Sequence, residues 1–141
     1  MGWKIDEIDR KIIEILRENA RMSNEKLGKK VSLSEPATRR RVSNLVERGV
    51  IKRFTIDVEE GGGVQALIFI SISPDVPSEK IADAVSKKDG IHSILEISGE
   101  TDFIVSIYAV DMDILNARID EIRHINGIKT TKTSIIMKKW K

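Results

Sequence analysis

Three consecutive arginines, Arg39, Arg40 and Arg41, are the residues of this chain best suited to a specific chemistry. Each guanidinium is a planar fork of donors that meets a phosphate, or the edge of a guanine, at two points. Ser34, Pro36, Thr38, Ser43 and Asn44 surround the run with small groups, and Lys52 and Arg53 follow it. On a helix, at about 100° per residue, Pro36, Arg40, Ser43 and Glu47 lie opposite an apolar stripe of Thr38, Val42, Leu45 and Val46. Arg39 and Asn44 flank that solvated face, which suits a DNA major groove. Arg41 falls nearer the buried edge, where a phosphate contact or a structural ion pair suits it better than base reading.

Local signals predict the elements that must hold these residues. Ser34 is placed to cap the arginine-bearing helix, Pro36 sits in its first turn where no intrahelical donor is lost, and Gly49 stops it. Ser23 caps a shorter helix whose Leu27 and Val31 are four apart, and Val31-Ser32-Leu33 makes the turn between the two. Asp6 opens a first helix that runs to about Asn19 with Ile8, Ile12, Ile15 and Leu16 on one side. A strand from Val50 to Ile56 completes a winged helix-turn-helix over residues 1–53, with Lys52 and Arg53 where a wing touches phosphate.

Charge supports the same division. The whole chain of 141 residues carries only +2, but residues 1–53 hold 14 Lys or Arg against 8 Asp or Glu, and residues 54–141 hold 10 against 14. The positive field therefore belongs to the first part, and double-stranded DNA is the partner expected there. With no cysteine, a disulfide frame and a thiolate metal site are excluded. His92 and His124 lie far apart without clustered carboxylates, and no nucleophile elbow, phosphate loop or dinucleotide glycine pattern occurs. No metal, resident cofactor or enzymatic activity is expected. No apolar run approaches the roughly 18 residues of a membrane span. No secretory leader is visible, and Met1-Gly2 is not a myristoylation start because Asp6 stands where Ser or Thr is needed, so the expected location is the cytoplasm. Trp3 and Trp140 are expected to anchor the chain ends.

Glu59-Glu60-Gly61-Gly62-Gly63 breaks every pattern, which makes residues 54–63 a hinge strand and linker ahead of a second domain over residues 64–141. That domain reads as a strand from Val64 to Ser73, a helix capped by Ser78 and closed by Gly90, and a strand from Ile91 to Ser98. After the turn Gly99-Glu100-Thr101-Asp102 come a strand from Phe103 to Val110, a helix capped by Asp111, and a last strand from Ile128 to Lys138. The last helix places Met112, Leu115, Ile119 and Ile122 on one face and ends at Asn126-Gly127. The order βαββαβ is that of a ferredoxin-like split unit, so the fold class is α+β. Both sheet faces carry apolar residues, the face away from the helices holding Leu67, Phe69, Ile94, Ile104 and Tyr108 or their opposite-parity neighbours. Two copies packed through such a face form a homodimer that pairs two DNA-reading helices.

These features in order resemble the Lrp/AsnC, or feast/famine, family of archaeal and bacterial transcription regulators. The resemblance rests on the opening Ile5-Asp6-Glu7-Ile8-Asp9-Arg10-Lys11-Ile12-Ile13, on Leu33-Ser34 leading to Arg41-Val42-Ser43-Asn44-Leu45, and on Arg48-Gly49-Val50-Ile51-Lys52-Arg53-Phe54. Ile97-Ser98-Gly99-Glu100-Thr101-Asp102-Phe103 and the closing strand complete it. It implies a DNA-binding domain, a hinge strand and a RAM-type sensing domain that dimerises, often assembles dimers into octamers, and binds an amino-acid effector. In such proteins the turn between the second and third strands of the sensing domain lines the effector site. Here that turn is Gly99, Glu100, Thr101 and Asp102, with a partner wall from Thr131 and Thr133 on one face of the last strand. Gly99 allows close approach, Asp102 can accept from an α-ammonium, and threonine hydroxyls can bond a carboxylate. Thr101 stands where the family often has an aromatic, and Glu100 adds a second carboxylate, which points to a basic amino acid. The implied function is a sequence-specific regulator whose assembly or DNA affinity responds to that molecule; the alternative is an architectural protein that wraps DNA with low sequence preference.

Overall fold

The computed structural model describes residues 4–59 and 61–140, which divide into two compact units at Glu59 and Glu60. The readings made above for Met1, Gly2, Trp3 and Glu60 lie outside the described residues.

In the first unit, helix α1 (Glu7–Glu18) begins with a capping box. Asp6 Oδ1 accepts from the Asp9 backbone N–H at 2.8 Å, and the Asp9 carboxylate accepts in return from the Asp6 N–H. Helix α2 (Asn24–Val31) is capped by Ser23, whose Oγ accepts from Lys26 N–H at 3.3 Å, and ends at Ser32 with a left-handed φ of 58°. Helix α3 (Glu35–Glu47) follows, and the three helices bury Ile12, Leu16, Leu27, Val31 and Leu45 together. Gly28 makes the close passage of α2 past the start of α3 possible. A Cβ there would stand 2.6 Å from Leu33 O and 2.8 Å from Thr38 Oγ1. Val46, expected inside, is 43% exposed, because it sits about 100° around the helix from Leu45. The strand expected from Val50 to Ile56 does not form. Val50 and Ile51 N–H groups both donate to Leu45 O at 2.9 and 3.0 Å, turning the chain over the end of α3. Residues 52–59 then run without regular structure, since a ladder needs a second extended segment and the rest of this unit is helical.

The second unit contains β1 (Val64–Ile72), α4 (Ser78–Ser86), β2 (Ile91–Glu96), β3 (Phe103–Ala109), α5 (Met112–Arg123) and β4 (Ile128–Ile135). The strands form one antiparallel sheet in the order β2-β3-β1-β4, so the expected βαββαβ architecture is what folds. Strict alternation drives it: Ala66, Ile68 and Ile70 of β1, and Phe103, Val105, Ile107 and Ala109 of β3, are all buried against Ile81 and Val85 of α4 and Leu115, Ile119 and Ile122 of α5. Asp111 caps α5 through its Oδ1, which accepts from Ile114 N–H at 2.8 Å. Ser78 is not the cap of α4. Pro77 holds that position with φ −58° and ψ 133°, making no side-chain bond, and Ser78 is the first helical residue. Met112, the first residue of α5, is 46% exposed rather than buried. The side of the sheet away from the helices carries Leu67, Phe69, Ile104 and Tyr108, all half-buried. Ile94 pairs with Val105 and packs into the helix-side core, so Leu95, paired with Ile104 and 56% exposed, takes its place on the outward side. Trp140 anchors nothing among the described residues except Lys138, whose Nζ lies 4.1 Å from its ring; the indole is 85% exposed. No helix among the described residues is long and apolar enough to cross a membrane.

Candidate nucleic-acid interface and effector turn

Helix α3 starts where its sequence says it should. Ser34 Oγ accepts from Ala37 N–H at 3.3 Å, and Pro36 occupies the first turn. Thr38, expected among the DNA-contacting residues, is fully buried, and its hydroxyl donates to Ser34 O at 2.9 Å. Its side chain closes the α2–α3 contact and is not available to DNA. Pro36, Ser43 and Asn44 are exposed on the opposite face, as the 3.6-residue period requires.

The three arginines go three ways. Arg39 leans back one turn, its Nε donating to Glu35 Oε1 at 3.0 Å and its Nη2 to the same oxygen. Arg41 crosses to α1, where Nη1 lies 2.6 Å from Asp6 Oδ2 and 2.9 Å from Asp9 Oδ1. The bond from the Asp9 backbone and then that from Arg41 hold the Asp6 carboxyl below its ordinary value. The two carboxylates in turn raise Arg41, Asp6 contributing most. Arg40 alone is exposed with no ion pair among the described residues. It borders a cleft of about 630 Å³ beside α3, shared with Lys4, Asn44 and Arg48. Lys52 and Arg53 are exposed on the irregular segment after α3, along a groove of about 720 Å³ against the end of α1.

Glu35, Asp9, Lys4 and Arg48 were not singled out from the sequence. The Glu35-to-Arg39 spacing of four was a sufficient signal for that pair. Nothing local links Asp6 and Asp9 to Arg41, more than thirty positions away. Arg48 Nη2 donates to Lys4 O at 3.1 Å, again across the chain.

In the second unit the turn from Gly99 to Asp102 folds over the end of β1. Asp102 N–H donates to Ile70 O at 2.9 Å, and Asp102 Oδ2 accepts from Ile72 N–H at 2.8 Å. Ile97 N–H donates to Asp102 O at 2.9 Å, closing the turn. Gly99 has φ 138°, a backbone state that favours glycine, with open space where a Cβ would stand. Glu100 is exposed, and Ser71 Oγ reaches its carbonyl at 3.5 Å. Thr101 is half-buried. Within one chain, Thr131 and Thr133 are not brought to this turn. They pair with Ile70 and Ile68, so their side chains share the helix-facing side, whereas Ser71 beside the turn alternates to the other. Thr131 Oγ1 accepts from Arg123 Nε at 2.9 Å, and Thr133 lines a separate groove of about 500 Å³ between α5 and β4. Among the described residues no group of His, Cys, Asp and Glu is arranged to hold a metal.

A basic three-helix reading unit followed by a split βαββαβ unit defines a DNA-binding regulator with a separate ligand-binding domain. Residues 5–46 match the AsnC-type helix-turn-helix domain, and residues 65–141 match the Lrp/AsnC ligand binding domain. The chain belongs to the Lrp/AsnC family of transcriptional regulators. It is 35% identical over 136 residues to the HTH-type transcriptional regulator LysM of Sulfurisphaera tokodaii, covering 96% of this chain and 97% of that one. It is 37% identical to the transcriptional regulator AzlB of Bacillus subtilis, covering 97% and 91%. Its fold superposes on the transcriptional regulator NMB0573 of Neisseria meningitidis, solved as an L-Met complex, with a TM-score of 0.83, 27% identity and coverage of 98% and 93%. The relatives are regulators rather than enzymes, and their names favour regulation over an architectural role.

Proposed function

We propose that the chain is a sequence-specific regulator in which Arg39, Arg40, Ser43 and Asn44 meet the major groove while Lys52 and Arg53 meet phosphate. It works where the chromosome is, in the cytoplasm. The observation that carries this reading is the exposed Arg40, without an ion pair among the described residues, on a capped helix whose opposite face buries Thr38 and Leu45. Arg41 belongs to the scaffold of the same unit. Residues 54–63 serve as the hinge to the sensing domain. The outward sheet side bearing Leu67, Phe69, Leu95, Ile104 and Tyr108 is the surface through which two copies form a homodimer, and dimers then assemble further, to an octamer.

The effector is an amino acid bound at Gly99–Asp102. Two observations support this: the family's ligand-binding domain spans the turn, and a structural neighbour was solved with L-Met. Asp102 offers its second carboxylate oxygen, which has no partner among the described residues, to an α-ammonium. Glu100 beside it favours a basic side chain, lysine or arginine. Thr131 and Thr133 face α5, Thr133 with its hydroxyl buried, so the proposed site rests on Gly99–Asp102. Calorimetric titration of the free amino acids into the wild type and Asp102→Asn tests the site. Binding of a basic amino acid, lost in the variant, is the expected result; binding unchanged in the variant removes the site.

A further inference from the structure

We propose that Glu35 is a specificity-determining residue, one that fixes which edge of the Arg39 guanidinium is presented to DNA. An acid in the first turn of a helix that approaches phosphate weakens affinity for every sequence, so its place at the reading end of α3 calls for a compensating role. The geometry supplies one. Glu35 Oε1 takes both Nε and Nη2 of Arg39, which occupies the side-on edge of the guanidinium. The edge left open is Nη1 with the outer hydrogen of Nη2, an end-on fork whose two parallel donors match the O6 and N7 acceptors of guanine.

A free arginine samples many rotamers and meets phosphate as readily as a base. One held along its own helix by Glu35 has less freedom to lose on binding. Arg40, one residue on, has no such brace among the described residues and borders the cleft with Lys4 and Arg48. The adjacent arginines therefore divide the work at the groove: Arg39, braced, reads a guanine, and Arg40, on the same side of α3, also reaches the phosphates that border it. The assignment rests on α3 entering the groove, which the Arg40 variant described in the Discussion tests separately.

The experiment is selection from a randomised duplex pool with the wild type, followed by competition binding of the selected duplex and its single-base variants to Glu35→Gln, Arg39→Lys and the double variant. Thermal unfolding checks that each protein remains folded. Glu35→Gln is expected to reduce discrimination at one guanine of each half-site by about ten-fold, while the slope of log affinity on log salt changes by less than one phosphate contact. Arg39→Lys is expected to lose the preference at that same guanine, and the double variant to lose no more than either alone. An unchanged base preference in Glu35→Gln, with or without a general gain of affinity from the lost charge, overturns the proposal. A change at a cytosine that persists in Arg39→Lys also overturns it, because Glu35 would then be reading a base directly.

Discussion

The two units solve the problem of a small core in different ways. The sensing unit buries a continuous apolar layer, from Ala66 to Ala109 across its sheet, under two helices. The DNA-reading unit buries far less, with Ile12, Leu16, Leu27, Val31 and Leu45 as its centre, and depends on three side-chain caps and the Arg41–Asp6–Asp9 clamp. The contrast follows from their surfaces. A helix that leaves Arg39, Arg40, Ser43 and Asn44 exposed has only one stripe left for packing, whereas the sheet can bury one whole side. The first unit therefore supplements a small apolar centre with caps and an ion-pair clamp, and the second rests on a larger apolar layer.

Truncation in the larger core breaks that contrast most severely. Ile107→Ala is expected to destabilise the sensing unit by about 2–5 kcal/mol, seen by hydrogen exchange as loss of protection in β1 and β3 while α1–α3 keep theirs. Gly28→Ala should act on the other unit alone, costing about 1–3 kcal/mol because its Cβ is forced against Leu33 O and Thr38 Oγ1. Protection then falls in α2 and α3. Arg41→Ala leaves the mostly buried Asp9 carboxylate without its cation and should lower the stability of the reading unit by about 1–2 kcal/mol. The smallest effect is the acid limb. Because the folded state holds the Asp6 carboxyl below its ordinary value of 3.8, its contribution is complete above that pH and is lost as pH falls through the lowered value. Asp6→Asn should flatten that limb in the reading unit; an identical acid limb in the variant would show that the clamp is unimportant there.

The sequence was most legible where local rules and tertiary packing agree. Asp6, Ser23, Ser34 and Asp111 all cap as their positions indicate, and the period-2 runs of β1 and β3 fold as a sheet. Ser78 misled because a proline before it can open a helix without any side-chain bond. The stretch from Val50 to Ile56 has a strand's composition, but pairing is a property of two segments, and Val50 and Ile51 are drawn back to Leu45 O. At the interface, helical periodicity separated Arg40 from Arg41. It did not reveal that Asp6 and Asp9 wait across the chain for Arg41, since no local pattern encodes a contact between α1 and α3. The turn at Gly99–Asp102 forms between β2 and β3 where its residue types indicate, but the β4 register was needed to see that Thr131 and Thr133 face α5.

Fluorescence anisotropy tests most directly whether α3 carries DNA affinity through the exposed Arg40 and not through the clamped Arg41. Arg40→Ala and the wild type are titrated onto one labelled duplex over a series of salt concentrations, with unfolding of both followed in parallel. Arg40→Ala is expected to bind about ten-fold or more weakly, with a salt slope shallower by about one contact and an unchanged unfolding transition. Equal affinity and equal slope in Arg40→Ala would contradict it.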